Sequence, residues 1–552
     1  MAGSSGTTEG VHRLGVVFYV TVAISAVFVV CGVLFTETFG GALASVAGWI
    51  TTGLGWMYML ITAFFLAFAI YLAFSRYGKI RLGRPDERPE FGRFAWFAML
   101  FQAGMGIGLV FWGVAEPLSH YAEPPLGLAE PRSAEAADLA LRTALFHWSL
   151  HPWAMYAVVG LAVAYFSFRR GMNSLQISSV LYPILGERVN GPIGKAVDVL
   201  AIFATLVGVA GSLGSGTLQI DAGLSQVFGL PSGLGLQLGI IAVTGVAYML
   251  SASTPVEKGV NFLSQASIYL AFFLIVYFVI VGPTLLQLNA FTQGTGNYLA
   301  NVVPQSFYMS AFRPEEGAWL GSWTIFFWAT WIAWAPYVGA FIARISRGRT
   351  IREFVVGVLV APSIFSVIWF AVFGASAFQV DDRLNGSISE NAAANPAGAL
   401  FEFIAQYPLA LVASLLAIFL VWIFFVAGAD AGTIVLGSMS TGGDLNPRVG
   451  VKLIWGLIMA AFAAIMLAAA GPGRGIDAIV NSQIIAATPF GLLMLAIAYS
   501  LLKAIKTDYR EERSQLQDIM AYDGKVDERR MQEIRRRREA GEPVGQRPGR
   551  ED

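Results

Sequence analysis

Stretches of about 20 mostly apolar residues recur from residue 14 to residue 504 of this chain. A helix of that length crosses the hydrocarbon core of a bilayer, where every backbone N–H and C=O must find its partner within the protein. Hydrophobic residues make up 56% of the sequence and charged residues only 13%, against roughly a quarter charged in a soluble domain. The sequence therefore predicts an all-α integral membrane protein.

We predict twelve membrane-spanning helices. Their approximate positions are 14–34, 53–74, 93–114, 142–168, 196–226, 235–251, 262–286, 321–344, 352–378, 408–439, 450–470 and 484–504. The first is too long for a signal peptide and is not followed by a small-residue cleavage site, so we expect it to be retained. Cys31, the single cysteine, lies inside this first span, which excludes a disulfide framework and a cysteine-based metal site.

Positive and negative residues are equal in number, so their placement is more informative than their sum. The loops that follow the second and eighth spans are rich in arginine, whereas those after the first and fifth spans contain no Lys or Arg. The basic residues concerned are Arg76, Lys79, Arg81, Arg84, Arg88, Arg344, Arg347, Arg349 and Arg352. By the positive-inside rule both basic loops are cytoplasmic. With an even number of spans, both termini are then cytoplasmic, in a multi-pass protein of the plasma (inner) membrane.

The C-terminal segment, 507–552, loses the apolar pattern and is dense in charges of both signs, including the arginine run 535–538. We expect a cytoplasmic tail. Either it is a solubilising helical or disordered end, or its arginines bind anionic lipid headgroups.

The third span contains three glycines in five residues, Gly104, Gly106 and Gly108, and Glu116 and Pro117 follow. Glycines weaken a helix, and backbone carbonyls freed within a membrane are tolerated only against protein or a water-filled cavity, where they can coordinate a cation or a substrate. The alternative is close helix packing through small residues.

Two aromatic clusters, each containing a proline, lie at 147–156 in the fourth span and 328–337 in the eighth. Trp328, Trp331 and Trp334 step by three, which predicts that they line one side of a helix. Interfacial belts also collect Trp and Tyr, but two proline-containing clusters in separate halves are harder to explain in that way. Because a quaternary ammonium has no N–H, aromatic faces provide its main attraction. The clusters therefore indicate a binding site for such a cation.

The stretches 104–117, 147–156 and 328–354 occur in the order and form typical of one family: over residues 15–506 the chain resembles the betaine/choline/carnitine transporters. The resemblance implies two inverted five-helix repeats preceded by two extra helices, and a homotrimer. It divides the chain into an N-terminus (1–13), two extra helices (14–92), a first repeat (93–290), a second repeat (291–506) and the charged tail (507–552).

The resemblance also assigns site residues. Trp148, Trp153, Tyr156 and Trp331 match the family's aromatic box, and Trp334 and Phe111 match rings along the substrate pathway. It implies ion-coupled uptake of glycine betaine, with choline, carnitine, ectoine and dimethylsulfoniopropionate as alternatives. The glycine pattern, from which the exchangers of the family typically depart, favours net uptake over exchange.

The coupling ion is either sodium or a proton. Sodium-coupled members bind one ion at carbonyls around Gly104 and Met105 together with a Thr-Ser pair that is Ala427 and Gly428 here.

A second sodium site uses two threonines. Thr205 matches the first, but Val209 replaces the other, and Tyr337 stands where the family often has another aromatic residue. Since sodium prefers oxygen ligands, the lost hydroxyls weaken both sites. For a proton, ionisable groups in or beside the spans are candidates, namely Asp430, Asp221, His147 and His151.

Other functions are disfavoured. Only four histidines occur, with no HExxH arrangement, so a metalloenzyme is not indicated. A channel would show rings of charged residues along its spans, and a sensor would not need paired glycine- and proline-broken spans. We expect no cofactor beyond the coupling ion and no nucleic-acid partner.

Overall fold

The computed structural model describes residues 14–104, 106–172, 174, 176–253, 256–313, 316–444, 446–469 and 476–539. Within these residues the regular structure is helical, which confirms the all-α class, and the one β interaction is an isolated antiparallel bridge between Arg81 and Thr350. The chain divides into two compact units after Ala498. The second unit is described as far as Glu539 and continues as helix to that residue.

In chain order the α-helices are α1 (Val16–Leu34), α2 (Thr36–Phe74), α3 (Arg93–Gly104), α4 (Gly106–Ala122), α5 (Ala134–Trp148), α6 (Leu150–Ala164), α7 (Tyr182–Leu185), α8 (Pro192–Phe228), α9 (Leu234–Ser253), α10 (Val256–Val281), α11 (Thr284–Ser306), α12 (Gly317–Leu320), α13 (Phe326–Arg344), α14 (Ile351–Arg383), α15 (Ser387–Ala394), α16 (Ala399–Ile404), α17 (Ala410–Ser440), α18 (Val449–Ala469) and α19 (Asp477–Glu539). A π-helical turn, Gly321–Ile325, joins α12 to α13.

Ten helical segments among the described residues are long and apolar enough to cross a membrane. A further pair, α10 and α11, is bent by 115° and would count as an eleventh. The predicted span 262–286 runs past this bend, and α11 was not predicted, because its sequence is more polar than that of a span. The predicted third span is divided between α3 and α4, and neither helix is among the segments counted above. The total of twelve spans therefore stays a prediction.

The helices that carry the two aromatic clusters are held together by facing glycines. A Cβ atom on Gly160 of α6 would lie 3.1 Å from the carbonyl oxygen of Gly339 of α13, and a Cβ on Gly339 would lie 3.1 Å from the Gly160 nitrogen. Small residues allow such backbone approach, from which packing in a membrane gains its energy. Helix α4 packs on α14 as α6 packs on α13. Inverted repeats would produce this pairing, although the repeat symmetry itself remains a prediction.

The two basic loops lie against each other at one end of the helices. Backbone bonds join Leu82 N to Arg349 O (2.8 Å) and Ile351 N to Ile80 O (2.8 Å). Arg349 is buried, donates to the Phe91 carbonyl (2.8 Å) and lies over the Trp96 ring at 3.9 Å. Both loops therefore face the same side of the membrane, as the positive-inside rule requires.

We expect Arg349→Ala to destabilise the purified protein by about 2–4 kcal/mol, since it removes a cation–π contact and a charged hydrogen bond. Arg347→Ala is the matched control. Its exposed guanidinium pairs with Glu87 at 2.5 Å, and such surface pairs contribute about 0–1 kcal/mol. Thermal unfolding in detergent measures both variants, and equal stabilities would contradict the structural role of Arg349.

Candidate functional site

The site is organised around an interruption between α5 and α6. Ser149, with φ −106° and ψ −118°, separates the two helices, and Pro152 has no N–H to bond the Trp148 carbonyl. Side chains of other helices replace the missing donors. Ser366 Oγ donates to the Trp148 carbonyl (2.9 Å), and the Trp331 indole donates to the His147 carbonyl (2.9 Å). The interruption thus fixes Trp331 of α13 beside Trp148.

Four of the predicted residues form a continuous set of perpendicular rings, which we call the aromatic box. Trp148 and Trp331 have ring centroids 4.9 Å apart at 86°, Trp331 and Tyr156 are 5.9 Å apart at 87°, and Tyr156 and Trp153 are 5.5 Å apart at 86°. All four side chains are buried. Rings that meet edge to face present adjacent π faces, as the walls of a cation site do.

The other predicted aromatic residues lie outside these mutual contacts. Trp334 donates to the Gly208 carbonyl of α8 (2.9 Å), and Phe111 packs on Trp112 with centroids 4.9 Å apart. Trp328 donates to Met59 Sδ of α2 (3.2 Å). Trp331 and Trp334 line one small cavity and Trp328 does not, so the predicted common side holds for two of the three tryptophans of α13, because each step of three residues rotates the side chain by about 60°. The indoles therefore fan out toward α2, α5 and α8.

The glycines between α3 and α4 leave room for the aromatic box. A Cβ on Gly104 would lie 2.3 Å from Cη2 of Trp153, and one on Gly108 would lie 2.9 Å from Cη2 of Trp148. Gly106 has φ +30°, a conformation that residues with a side chain rarely adopt. Close packing and a broken helix, posed as alternatives above, are both present. Met105 lies outside the described residues.

One cavity adjoins the aromatic box, and a second, larger one lies beside the first. A small one of about 50 Å³ lies against Trp148 and Trp331. Its wall also contains Thr330, whose hydroxyl donates to Oε1 of Gln483 (2.9 Å). A vestibule of about 1620 Å³ shares the residues Trp112 and Phe326 with the small cavity, and its wall includes Phe111. The vestibule is lined by the loop between α8 and α9 and by the start of α13. It therefore lies at the end of the helices opposite the basic loops.

A buried carboxylate, which is not among the predicted site residues, lies directly behind the aromatic box. Glu116 Oε2 accepts from the Trp148 indole at 2.7 Å, and Glu116 Oε1 lies 2.7 Å from Nδ1 of His147 and 3.4 Å from Nε2 of His120. His147 Nε2 bonds Thr324 Oγ1 (2.9 Å). Glu116, His120 and His147 are fully buried. The available signal was an acidic residue in an apolar span, which by default indicates function.

The geometry of this cluster does not support a metal ion. Ligand atoms about 2.0–2.1 Å from a tetrahedral zinc stand roughly 3.3 Å apart, whereas Glu116 Oε1 and His147 Nδ1 are 2.7 Å apart. Both carboxylate oxygens and both His147 nitrogens already have short partners. We therefore assign no metal here and describe Glu116 and His147 as a hydrogen-bonded pair with the His120 ring beside it.

The ion-coupling candidates are distributed over several helices. Thr205 of α8 is buried and its Oγ1 has no hydrogen-bond partner, so this ligand oxygen is unused. Asp430 of α17 accepts from Ser251 at 2.6 Å through Oδ2, while its Oδ1 has no partner. Tyr337 packs on Trp334 with centroids 5.6 Å apart. Thr205 Oγ1 and Asp430 Oδ1 are thus the buried side-chain oxygens of these described candidates that have no hydrogen-bond partner.

Gly104→Ala should weaken binding of tetramethylammonium about tenfold, because a Cβ displaces the Trp153 ring and overpacking of this kind costs about 1–3 kcal/mol. Tryptophan fluorescence of the purified protein, titrated with tetramethylammonium, measures the effect. Gly235→Ala on α9 is the control, since its Cβ meets no atom within 4 Å. Unchanged affinity in Gly104→Ala would mean that Trp153 is not a wall of the site.

Comparison with known proteins gives a family match over nearly the whole chain. The model of the BCCT, betaine/carnitine/choline family transporter, matches residues 16–510. The glycine betaine transporter OpuD of Bacillus subtilis is 46% identical over 496 residues, which cover 90% of this chain and 95% of the relative. The ectoine/hydroxyectoine transporter of Virgibacillus pantothenticus is 40% identical (89% and 96% covered), and the osmo-dependent choline transporter BetT2 of Acinetobacter baylyi is 39% identical (91% and 73%).

Proposed function

This chain belongs to the betaine/carnitine/choline transporter family, and on that basis we propose that it imports glycine betaine across the plasma membrane by ion symport. The observation that carries the proposal is the aromatic box. Its four rings meet at 86–87°, and a trimethylammonium group gains about 0.5–2 kcal/mol from each ring face that it contacts. Membership in a transporter family also disfavours an enzyme.

A carboxylate-bearing substrate is favoured over choline by a second feature. The Tyr156 hydroxyl is buried and has no hydrogen-bond partner, so a donor that costs free energy when unmet is available beside the cation site. The ionised carboxylate of glycine betaine would supply a stronger acceptor than the hydroxyl oxygen of choline. OpuD, named a glycine betaine transporter, supports the same choice, while choline, carnitine, ectoine and dimethylsulfoniopropionate remain the alternatives.

The asymmetry of the molecule supports alternating access. A wide vestibule at one end shares Trp112 and Phe326 with the small cavity beside the aromatic box, while the basic loops pack together at the other end. If those loops are cytoplasmic, as are both termini, this conformation is open to the outside. The broken third span, α3 and α4, lies between the two ends and fits the discontinuous helices of transporters of this kind.

Sodium and the proton are the two candidate coupling ions. Sodium would use carbonyls at Gly104 and Met105 and the unused Thr205 hydroxyl, but Ala427 and Val209 remove side-chain oxygens that such sites employ. We further propose a homotrimer, a role in osmotic stress, and binding of anionic lipids by the tail, 507–552.

The substrate assignment is tested by counterflow. Liposomes loaded with unlabelled glycine betaine, with equal sodium and pH on both sides, should take up labelled glycine betaine, and excess choline should compete weakly. Trp331→Leu should raise the half-saturation concentration about 5- to 30-fold, because one ring contributes about 1–2 kcal/mol. Trp331→Phe, which keeps a ring but loses the bond to the His147 carbonyl, should be intermediate.

Trp49→Leu is the control for these variants, since Trp49 is exposed on α2. Wild-type protein that exchanges choline or ectoine but not glycine betaine would overturn the substrate assignment. Normal affinity in Trp331→Leu would remove the aromatic box from the binding site.

Deletion of residues after Thr507 should abolish the rise in uptake at high external osmolality while leaving basal uptake unchanged, because the tail carries the clustered arginines that would contact anionic lipid. Uptake is compared in liposomes with and without anionic phospholipid. Full osmotic activation in the truncated protein would contradict the proposed role of the tail.

A further inference from the structure

We propose that Glu116, together with His147 and His120, is the site that binds the co-transported proton and links it to the substrate. This inference rests on the proposed function, since it names the ion and its position in the same uptake reaction. It concerns residues that the aromatic box and the sodium candidates do not include.

The first argument is charge. Glu116 and both imidazoles are fully buried, and among the described ion pairs Glu116 faces His120 and His147 but no Lys or Arg. The remaining titratable side chain nearby is His151 of α6, which bonds Ser306 at 2.8 Å. The segment from α12 to α13 contributes uncharged contacts, through Trp319, Trp323, Thr324 and Phe327.

With Glu116 ionised and both imidazoles neutral, the cluster carries one uncompensated negative charge in a region of low dielectric, which is costly. One added proton makes the cluster neutral, whether it resides on the carboxylate or on His147. Occlusion of this site from water therefore requires a bound proton. A proton-coupled transporter needs this property, because the protein can then pass through the occluded state only when the cluster holds a proton.

The second argument is access. Neither ring nitrogen of His120 makes a hydrogen bond, although the side chain is fully buried. Its ring contacts Trp323 with centroids 4.5 Å apart, and Trp323 and Ser119 both belong to the vestibule wall. His120 is thus a proton acceptor with unused capacity, in contact with a residue of the vestibule wall on one side and 3.4 Å from Glu116 on the other.

The third argument is coupling to the substrate site. The carboxylate accepts from the Trp148 indole, and the backbone carbonyl of His147 accepts from the Trp331 indole. Both contacts end on rings of the aromatic box. Since a hydrogen bond to an ionised carboxylate is stronger and shorter than one to a neutral acid, protonation of Glu116 alters how firmly Trp148 is held. Proton binding at Glu116 and the positioning of the Trp148 ring in the aromatic box therefore depend on each other.

The transport step conserves atoms and charge. A proton passes from vestibule water through His120 to the Glu116–His147 pair, no bond to the substrate is formed or broken, and proton and substrate leave together on the other side. Each zwitterionic glycine betaine then carries one positive charge inward with it.

The experiment uses the full-length protein in liposomes, with Glu116→Gln as the variant. Glutamine keeps an acceptor oxygen for the Trp148 indole and a polar contact to His147, but it cannot take up a proton. Three quantities are measured: counterflow of labelled glycine betaine at equal pH, accumulation driven by an acid-outside pH gradient without sodium, and acidification of an internal pH dye on addition of substrate.

For the wild type we expect counterflow, gradient-driven accumulation and about one proton taken up per substrate. For Glu116→Gln we expect counterflow that persists with a shifted half-saturation concentration, because the Trp148 indole then donates to a neutral amide oxygen, together with no accumulation above equilibrium and no dye response. Asp198→Asn is the matched control. Asp198 is also a buried carboxylate, but it bonds Ser178 at 2.8 and 2.9 Å, remote from the aromatic box, and the variant should retain all three activities.

The outcomes separate the two proposals. Absence of counterflow in the wild type would refute the substrate assignment itself. Counterflow with sodium-dependent accumulation and no dye response would refute the proton site and leave the substrate assignment intact. Proton-driven accumulation that persists in Glu116→Gln would mean that the carboxylate only positions Trp148, and the inference would fail.

Discussion

The need to satisfy every backbone polar group inside the bilayer determines how this site is built. Where the helix stops between α5 and α6, the carbonyls of His147 and Trp148 lose their partners in the chain, and water is not available to replace them. Trp331 and Ser366 donate to these carbonyls from two other helices. The break thus becomes the point at which four helices, α5, α6, α13 and α14, are joined, and it places two tryptophans at right angles.

A second dependence follows from the buried carboxylate. Aromatic faces attract a quaternary ammonium without any ionised partner, so the cation alone does not explain why Glu116 lies behind Trp148. Its two oxygens hold an indole and an imidazole at 2.7 Å each. The carboxylate therefore orients the aromatic wall, and its own charge must be balanced by a proton because no Lys or Arg among its described partners does so. The proposed mechanism thereby combines substrate recognition and ion balance in one hydrogen-bonded group.

The glycines of the site act by allowing neighbouring helices and rings to approach closely, since they have no side chain that could bind a ligand. Gly104 and Gly108 admit Trp153 and Trp148, and Gly160 faces Gly339 across the contact of α6 with α13. In hydrocarbon, helix association depends on packing and internal hydrogen bonds, since lipid tails are as apolar as the side chains. These contacts hold the aromatic box between a wide vestibule on one side and the closed basic loops on the other.

The sequence by itself determined the membrane class, most helix positions and the arrangement of the basic loops on one side. It also indicated the four residues of the aromatic box, Trp148, Trp153, Tyr156 and Trp331. Length, hydropathy, loop charge and motif are local properties of the chain, which is why they can be read without the tertiary structure. The tertiary structure decided what depends on direction and on distant partners. It placed Trp328 against α2, outside the small cavity that Trp331 and Trp334 share, turned α11 away from α10 by 115°, and brought Glu116 of α4 to His147 of α5, 31 positions later. A hydrogen bond between helices requires both side chains to point at each other, and no periodicity within either helix specifies that.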